Sequence, residues 1–285
     1  MKQYILFNPK AGGGTRRDQL ENEPALKAEG FENAFVDLTG IGSYKDFFAG
    51  LSAEDRVVIC GGDGTLHRFV NDTEGIDIKP AVYCYAAGTG NDFLNDVKDR
   101  EKGLPVYFTP YMKDLPKVTV NGKTERFINN VGFGLDGYCC EIGDAQREKG
   151  VLKVNYTAIA LKGLLGGYKR ATATIEADGV KKTYKNVWLA PTMNGRFCGG
   201  GMMLAPDQDR LNPEHTVSLM VMHCRNKLKT LLVFPTVFKG KHVLHKDMVE
   251  GFKAKKVHVV FDTPTAIQID GETTKNVTEY FVETA

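Results

Sequence analysis

Residues 61 to 65 form the segment Gly-Gly-Asp-Gly-Thr, which directly follows the apolar run Val57 to Cys60. The β-branched run predicts a buried strand, and the glycines after it let backbone N–H groups approach a ligand closely. A helix pattern follows, with Thr65 as its predicted cap, so the segment is typical of a phosphate-binding loop. Asp63 would repel phosphate there, unless it binds Mg²⁺ or takes a proton from an attacking hydroxyl. A Gly-rich turn with an Asx cap is the alternative.

Two further segments repeat this arrangement of an apolar strand followed by glycines. Tyr4 to Phe7 leads into Asn8-Pro9-Lys10-Ala11-Gly12-Gly13-Gly14, and Ala81 to Tyr85 leads into Ala86-Ala87-Gly88-Thr89-Gly90-Asn91-Asp92-Phe93, with Asn91 or Asp92 as the predicted helix cap. Three such loops at the carboxyl ends of successive strands match the position where open α/β sheets bind ligands. None of the three has the spacing of a Walker-type or a G-x-G-x-x-G dinucleotide loop.

These segments resemble the diacylglycerol kinase catalytic-domain family, the bacterial soluble lipid kinases that are related to sphingosine and ceramide kinases and, more distantly, to NAD kinases. The matching segments occur in the family's order and cover nearly the whole chain. They are Asn8 to Gly12, Gly61 to Thr65, Gly88 to Asp92, Asn129 to Asp136, Gly199 to Gly201 with Ala205-Pro206, and Asp270 to Glu272. The Gly-Gly-Asp-Gly-Thr segment is shared with NAD kinases, whereas Gly-Thr-Gly-Asn-Asp favours lipid kinases.

The resemblance implies that Mg²⁺-bound ATP is the phosphate donor and that it contacts the Gly-rich loops. Thr39 belongs to this set through the resemblance alone. The positions that match the family's nucleotide contacts are Asn8, Pro9, Lys10, Ala11, Gly12, Thr39, Gly61, Gly62, Asp63, Gly64, Thr65, Leu66, His67 and Thr89.

The resemblance also implies that Asp270-Gly271-Glu272 is the catalytic turn, with Glu272 in the position of the proton acceptor and Asp270 beside it. A primary hydroxyl needs a base within hydrogen-bond reach. The sphingosine kinase branch assigns that role to the position of Asp63, so both carboxylates stay candidates. By itself, Asp-Gly is a turn dipeptide, and a hairpin tip is the alternative.

A structural Mg²⁺ site is expected in this family after an Ala-Pro, on an Asp-Gly turn. This chain departs from that pattern, because Ala205-Pro206 is followed by Asp207-Gln208-Asp209-Arg210-Leu211-Asn212-Pro213-Glu214. A site rebuilt from Asp207, Asp209 or Glu214 is an alternative to its loss, and no ligand is assigned. The six histidines lack metal-ligand spacing.

Composition limits the classes of partner and compartment. The 285 residues suit two domains, and the net charge of +2 gives no reason to expect nucleic acid. Six cysteines without a C-x-x-C pair predict reduced thiols in the cytoplasm. No apolar stretch reaches the length of a membrane span, so we expect a lipid acceptor to be met peripherally, at the inner face of the membrane. A homodimer is compatible with these features.

The pattern of apolar residues predicts an α/β N-terminal domain with a doubly wound, mostly parallel sheet over residues 1–112. Its predicted strands are 3–8, 32–38, 55–60 and 81–86, and its predicted helices are 15–29, 43–51, 65–73 and 91–97. Residues 113–285 read as a second, mainly antiparallel β-sandwich domain with helices at 156–165 and 228–238, the latter kinked at Pro235. The resemblance implies an active site in the cleft between the domains.

The sequence therefore predicts an ATP-dependent lipid kinase with diacylglycerol as the default acceptor. A soluble-metabolite kinase of the NAD kinase type and a non-catalytic nucleotide-binding regulator are the alternatives, because the motifs report the donor and not the acceptor. Six lysines between Lys239 and Lys256 are a candidate for docking to anionic lipid, or a solvated face. The apolar residues between Leu228 and Phe238 either line a lipid groove or pack in the core.

Overall fold

The computed structural model describes residues 1–9, 17–87, 91–98, 104–151 and 154–285. They divide into two compact units, Met1–Lys113 and Asp114–Ala285. None of the helices in these ranges is both long and apolar enough to cross a lipid bilayer.

The first unit alternates strands and helices. Short 3₁₀ turns lie at Pro24–Leu26, Leu38–Gly40 and Thr109–Met112. Its strands and helices are β1 (Lys2–Phe7), α1 (Arg17–Glu21), β2 (Glu32–Asp37), α2 (Tyr44–Ala49), β3 (Arg56–Gly61), α3 (Asp63–Asp72), β4 (Ala81–Ala86), α4 (Asp92–Val97) and β5 (Val106–Tyr107).

The sheet of the first unit has the strand order β2-β1-β3-β4-β5. Its first four strands are parallel, and β5 runs antiparallel to β4. Strands β1 and β3 are fully buried near their carboxyl ends, as the continuous apolar runs in the sequence predict. The expectation of a mostly parallel α/β sheet is confirmed.

The helix predicted over residues 15–29 differs from the structure. The α-helix ends at Glu21, and Pro24 begins a separate 3₁₀ turn. Proline has no N–H group to donate and clashes with the preceding turn, so the apolar spacing through Leu26 cannot continue as one helix. Leu20 and Leu26 are both buried, so both segments still pack against the sheet.

The second unit is rich in β-structure. A π-helical turn lies at Gly163–Gly167, and 3₁₀ turns lie at Phe234–Lys239 and Lys241–Leu244. Its strands and helices are β6 (Lys117–Val120), β7 (Lys123–Arg126), β8 (Asn130–Phe133), α5 (Leu135–Glu148), α6 (Tyr156–Lys162), β9 (Ala171–Ala177), β10 (Val180–Leu189), β11 (Thr192–Met193), β12 (Phe197–Cys198), β13 (Met202–Met203), β14 (Val217–His223), α7 (Lys227–Val233), β15 (Val249–Ala254), β16 (Lys256–Ile269) and β17 (Glu272–Glu283).

Antiparallel pairings in the second unit close a ring of strands. Strand β16 pairs with β8, β8 with β11, β11 with β14, β14 with β10, β10 with β9, and β9 again with β16. Strands β17, β6 and β7 extend the sheet from β16, and β15 pairs with β14. The expected antiparallel β-rich domain is confirmed, and its main sheet is closed on itself.

Side chains of the central strands lie alternately on the two faces of this sheet. Val131, Phe133, Ile267 and Ile269 belong to one apolar core. Because successive side chains point to opposite faces, Gly132 and its cross-strand partner Gln268 lie on the other face. At these two positions the second face carries a glycine and a glutamine, whereas Trp188, Met193 and Met222 belong to a second apolar cluster.

Helix α5 covers this second face and was missed by the sequence pattern. Gly137 and Gly143 lower the helix propensity of the segment, but both allow close packing. A Cβ atom on Gly137 would lie only 2.1 Å from the carbonyl oxygen of Ala266 on β16. Residues 132–137 have G-x-G-x-x-G spacing, yet β8 pairs only with antiparallel strands, so the segment is not a dinucleotide fold.

Candidate functional site

The carboxyl ends of the parallel strands lie at one edge of the first sheet. Phe7 pairs with both Asp37 and Cys60, and Gly61 pairs with Ala86, so the loops after β1 to β4 start side by side. Ala87 also donates a hydrogen bond to the Gly61 carbonyl at 3.1 Å. The structure therefore brings together the starts of the loops that the sequence singled out.

Asn8, Pro9 and Thr39 are predicted nucleotide contacts that lie at this edge. Asn8 and Pro9 directly follow β1, and Thr39 lies in the 3₁₀ turn after β2. The Thr39 N–H and hydroxyl both donate to the Asp37 carboxylate at 2.8 Å. Four predicted contacts lie outside the described residues: Lys10, Ala11, Gly12 and Thr89.

Helix α3 begins at Asp63, two residues earlier than the predicted cap. Gly62 occupies the N-cap position, Gly64 lies in the first turn, and Thr65 packs back over the end of β3. A Cβ atom on Gly61 would lie 2.5 Å from the Thr65 Cβ, so the close approach of strand and helix requires glycine at that position. The assignment of Thr65 as cap was wrong, because this packing places its side chain inside the helical turn.

The Asp63 carboxylate connects the second and third loops. It accepts hydrogen bonds from the Asp92 N–H at 2.9 Å and from the Phe93 N–H at 3.0 Å. These N–H groups open helix α4, where a negative charge is favourable. Asn91 takes the N-cap position of that helix, with a φ of 49°, and Asp63 supplies side-chain acceptors for its first N–H groups. Asp63 therefore holds two loops of the site in register.

Leu66 and His67 lie on the buried face of α3. Leu66 is 2 % exposed and His67 is 5 % exposed, beside the buried Phe69 and Val70. This face anchors the helix in the core of the first unit.

In the second unit, the Asp270 carboxylate is buried and accepts hydrogen bonds from three consecutive backbone N–H groups. The donors are Ile128 at 2.6 Å, Asn129 at 2.7 Å and Asn130 at 3.0 Å. Hydrogen bonds to an ionised carboxylate are about twice as strong as neutral ones. Asp270 therefore holds the start of β8 against the turn that follows β16.

The carbonyl groups of the same segment bind residues from two other motif segments. Asn194 Nδ2 donates to the Ile128 carbonyl at 2.9 Å, and the Asn194 N–H donates to the Asn129 carbonyl at 2.8 Å. The Arg210 guanidinium donates to the Ile128 carbonyl and to Asn129 Oδ1. Residues 128–130 are thus the point at which four separate segments of the sequence meet.

Glu272 is exposed and opens β17 opposite Ile269. The turn that carries it is held on both sides. The Gly271 N–H donates to Gln268 Oε1 at 2.8 Å, and the Thr273 hydroxyl donates to Asp144 of α5 at 2.6 Å. Glu272 is therefore an exposed residue on a turn that hydrogen bonds hold on both sides, which suits a proton acceptor.

Asp136 is a candidate that the sequence analysis named only as part of a motif. Its carboxylate lies over Gly132, where a Cβ atom would be 1.5 Å from Asp136 Oδ2. Neither Oδ atom has a hydrogen bond of good geometry within the described part of the chain. Burial raises the pKa of Asp136 to about 6, although Gly137 and Gln268 oppose the shift. Its signal in the sequence is an acidic residue inside an otherwise apolar and glycine-rich segment.

Two known domain families match this chain, one in each unit. Residues 129–281 match the model of the YegS C-terminal NAD kinase beta sandwich-like domain, and residues 2–113 match the diacylglycerol kinase catalytic domain. The chain belongs to the family that carries the YegS C-terminal NAD kinase beta sandwich-like domain, here joined to a diacylglycerol kinase catalytic domain.

The similar proteins cover most of the chain at modest identity. A diacylglycerol kinase of Mycobacterium tuberculosis is 29 % identical over 276 residues, which cover 90 % of this chain and 84 % of that protein. A diacylglycerol kinase of Bacillus subtilis is 25 % identical over 281 residues, which cover 94 % and 88 %. A crystal structure of a diacylglycerol kinase from Bacillus anthracis has a TM-score of 0.63 at 18 % identity, covering 99 % of this chain and 93 % of that one, and so shares the fold.

The metal site expected in the diacylglycerol kinase family does not fit the side chains near Ala205-Pro206. Asp209 Oδ1 accepts from the Leu211 N–H at 2.9 Å, and Gln208 is buried against Ser218. Among the described residues no three His, Cys, Asp or Glu side chains are close enough to hold a metal ion. The segment instead carries Arg210, which binds residues 128 and 129.

Proposed function

We propose that this protein is an ATP-dependent lipid kinase that transfers the γ-phosphate of Mg-ATP to a lipid hydroxyl. The default acceptor is diacylglycerol, which gives phosphatidic acid. The curated relatives named diacylglycerol kinase support this acceptor class. The acceptor resides in a bilayer, so the proposal includes transient, peripheral contact with a membrane surface.

The two acidic residues of the Asp270-Gly271-Glu272 turn differ in burial, and this difference supports the proposal. Asp270 is buried and its carboxylate receives three backbone N–H groups, whereas Glu272 is exposed. A base must reach a substrate hydroxyl, and the exposed carboxylate meets that need. Asp270 then acts as the positioning residue that holds the turn in place.

The reaction needs a proton acceptor and a positioned nucleotide. The acceptor hydroxyl oxygen forms a bond to the γ-phosphorus while the bond from that phosphorus to the β,γ-bridging oxygen breaks, and ADP leaves. The hydroxyl proton passes to Glu272, with Asp63 as the alternative base. When Mg²⁺ accompanies the nucleotide, it neutralises phosphate charge. In the first unit, the loops after β1 to β4 would bind the phosphates through backbone N–H groups.

Two other functions stay open as alternatives. The C-terminal family model includes NAD kinases in its description, which favours considering a soluble alcohol as acceptor. The departure at Asp207 to Glu214 favours considering a nucleotide-binding regulator without turnover. Both alternatives keep the nucleotide site; the first changes the acceptor, and the second has no acceptor.

A phosphate-transfer assay with γ-labelled ATP separates these functions. The acceptors are short-chain diacylglycerol, sphingosine and ceramide in detergent micelles, together with NAD and glycerol in buffer. We expect label in phosphatidic acid. Label only in a soluble product would establish the metabolite kinase, and ATP binding without label in any product would establish the regulator.

A further inference from the structure

Large apolar side chains are exposed on two neighbouring segments of the second unit. Leu165 is 63 % exposed, Leu228 is 67 % exposed and Leu232 is 72 % exposed. We use the name leucine surface for four residues: Leu161, Leu165, Leu228 and Leu232. Clustered exposed apolar residues of this kind mark interaction sites.

The two segments are adjacent in space. Helix α7 contacts the Gly163–Gly167 turn, which carries Leu165. Arg170 Nη1 donates to the carbonyl groups of Cys224 and Arg225, both at 2.9 Å, and so joins the two segments at their base. The leucine surface is therefore contributed by one packed layer of the second unit.

Helix α7 turns its apolar residues in two directions. Val233 is buried in the core cluster that includes residues of α5 and α6, and Thr230 is buried as well. Leu228 and Leu232 are four residues apart, so they share the opposite face of the helix. A helix needs only one apolar face to pack against the core of its unit. The exposure of the leucines on the second face therefore needs a separate reason.

The two segments that carry the leucine surface contain basic residues but no acidic ones. Residues 149–170 and 225–246 contain no Asp or Glu at all. Lys162, Lys169, Arg225 and Lys227 are exposed beside the leucines. Asp247, the first acidic residue after the second segment, forms an ion pair with Lys229 of α7.

We propose that the leucine surface docks the protein on a bilayer that contains anionic phospholipid. The leucine side chains insert at the boundary between headgroups and acyl chains, and the basic residues meet lipid phosphates. Their long aliphatic stems let the charged groups stay at the headgroup level while the leucines enter. This inference rests on the proposed function for the nature of the acceptor.

A second copy of the chain fits this surface less well. In a two-fold symmetric dimer the same patch meets itself, so the basic residues of each copy would face those of the other. Like charges across an interface oppose association. An anionic bilayer satisfies both the apolar and the basic groups.

The structure also separates the leucine surface from part of the lysine stretch that the sequence indicated. Lys253 donates to the Asp207 carbonyl at 3.0 Å, and Lys256 forms an ion pair with Glu283 at 3.1 Å. These lysines lie on β15 and β16 with acidic neighbours. They provide a control for basic charge outside the leucine surface.

The test is sedimentation of the full-length protein with vesicles of phosphatidylcholine, with and without phosphatidylglycerol. The variant is Leu228→Gln with Leu232→Gln. The matched controls are Val180→Gln, which changes an exposed apolar residue on the β9–β10 hairpin, and the triple change of Lys253, Lys255 and Lys256 to glutamine. Circular dichroism and thermal unfolding check that each protein is folded.

We expect the double leucine variant to lose at least tenfold in affinity for the anionic vesicles, and both controls to bind like wild type. Equal binding of wild type to neutral and anionic vesicles, or equal binding by the leucine variant, overturns the proposal. Loss of a concentration-dependent dimer in the leucine variant, seen by gel filtration, overturns it in favour of a second copy.

The kinase reaction is measured separately with short-chain diacylglycerol in micelles. If the leucine variant keeps that activity but loses vesicle binding, the docking proposal stands with the proposed function. If no acceptor is phosphorylated while vesicle binding depends on the leucines, the proposed function fails and the docking surface survives.

Discussion

Asp270 Oδ1 accepts the backbone N–H of Asn129 at 2.7 Å, across 141 positions of the sequence. The same carboxylate also receives the N–H groups of Ile128 and Asn130. Asp270 and Glu272 are two residues apart, yet one carboxylate is buried in backbone hydrogen bonds and the other is exposed. The two carboxylates of this turn therefore have separate tasks, and substitution distinguishes them.

Asp270→Asn should destabilise the second unit by about 3 kcal/mol. An asparagine offers only one acceptor oxygen. Its NH₂ group is a donor, so it cannot accept the backbone N–H groups that the second carboxylate oxygen accepts in wild type. Urea unfolding measures the difference. Glu272→Gln is the matched control two residues away, and we expect its stability to stay within about 0.5 kcal/mol of wild type. Unchanged stability in Asp270→Asn would mean that the three hydrogen bonds do not hold the turn.

Glu272→Gln should lower kcat strongly and leave ATP affinity nearly unchanged. The amide keeps the size of the side chain but cannot accept a proton from the acceptor hydroxyl. Steady-state kinetics and ATP titration measure the two quantities separately. If ATP affinity collapsed while residual turnover stayed near normal, Glu272 would be a nucleotide contact and not the base.

Asp63→Asn should reduce turnover by more than tenfold, which corresponds to about 1.4 kcal/mol of transition-state stabilisation. The structure adds a second expectation, because the carboxylate receives the first N–H groups of α4. Losing part of that cap should cost about 1 kcal/mol of stability. Thermal unfolding and phosphate transfer are measured on the same sample. Turnover above a tenth of the wild-type rate would show that Asp63 is structural only.

Asp136→Asn should stabilise the protein more at neutral pH than at acid pH. Burial raises the pKa of Asp136 from 3.8 to about 6, so the folded state holds this proton where the unfolded state has lost it. Stability from this group is therefore fully present below its unfolded pKa and is lost as pH rises through the folded pKa. The ionised group costs about 3 kcal/mol at neutral pH.

Urea unfolding of wild type and Asp136→Asn, from about pH 4 to about pH 8, gives the difference as a function of pH. Glu148→Gln, which changes an exposed carboxylate on the same helix, is the control. A flat difference for Asp136→Asn would show that its carboxylate is stabilised in the folded state by partners that the structure does not display.

Periodicity and turn chemistry predicted much of the fold. The hairpin at Asn121-Gly122 joins β6 and β7, with φ values of 50° and 76°, as that dipeptide favours. Pro235 lies at the junction of α7 and the 3₁₀ turn that follows, where the kink was expected. In both cases a single residue type restricts the backbone enough to be recognised without tertiary information.

The errors have tertiary causes. Helix α5 contains glycines at contacts that exist only after the helix packs on β16, so propensity could not reveal it. The extension of α3 to Asp63 depends on Thr65 packing over Gly61. The sequence marked Asp270 as important through an Asp-Gly turn, but its three donors lie more than 100 positions away in sequence. Pairings across such distances leave no periodic signal.

The closed ring of strands sets the order in which the second unit can be completed during synthesis. Strands β8 and β9 both need β16 as a neighbour, and β16 ends only at Ile269. Contacts of such long sequence separation form slowly, because loop closure must precede them. A nascent chain that has not reached residue 256 exposes strand edges on β8 and β9, which are open to pairing with other chains. The described strands of the first unit all pair with one another between Lys2 and Tyr107, so that sheet can form before β16 has been synthesised.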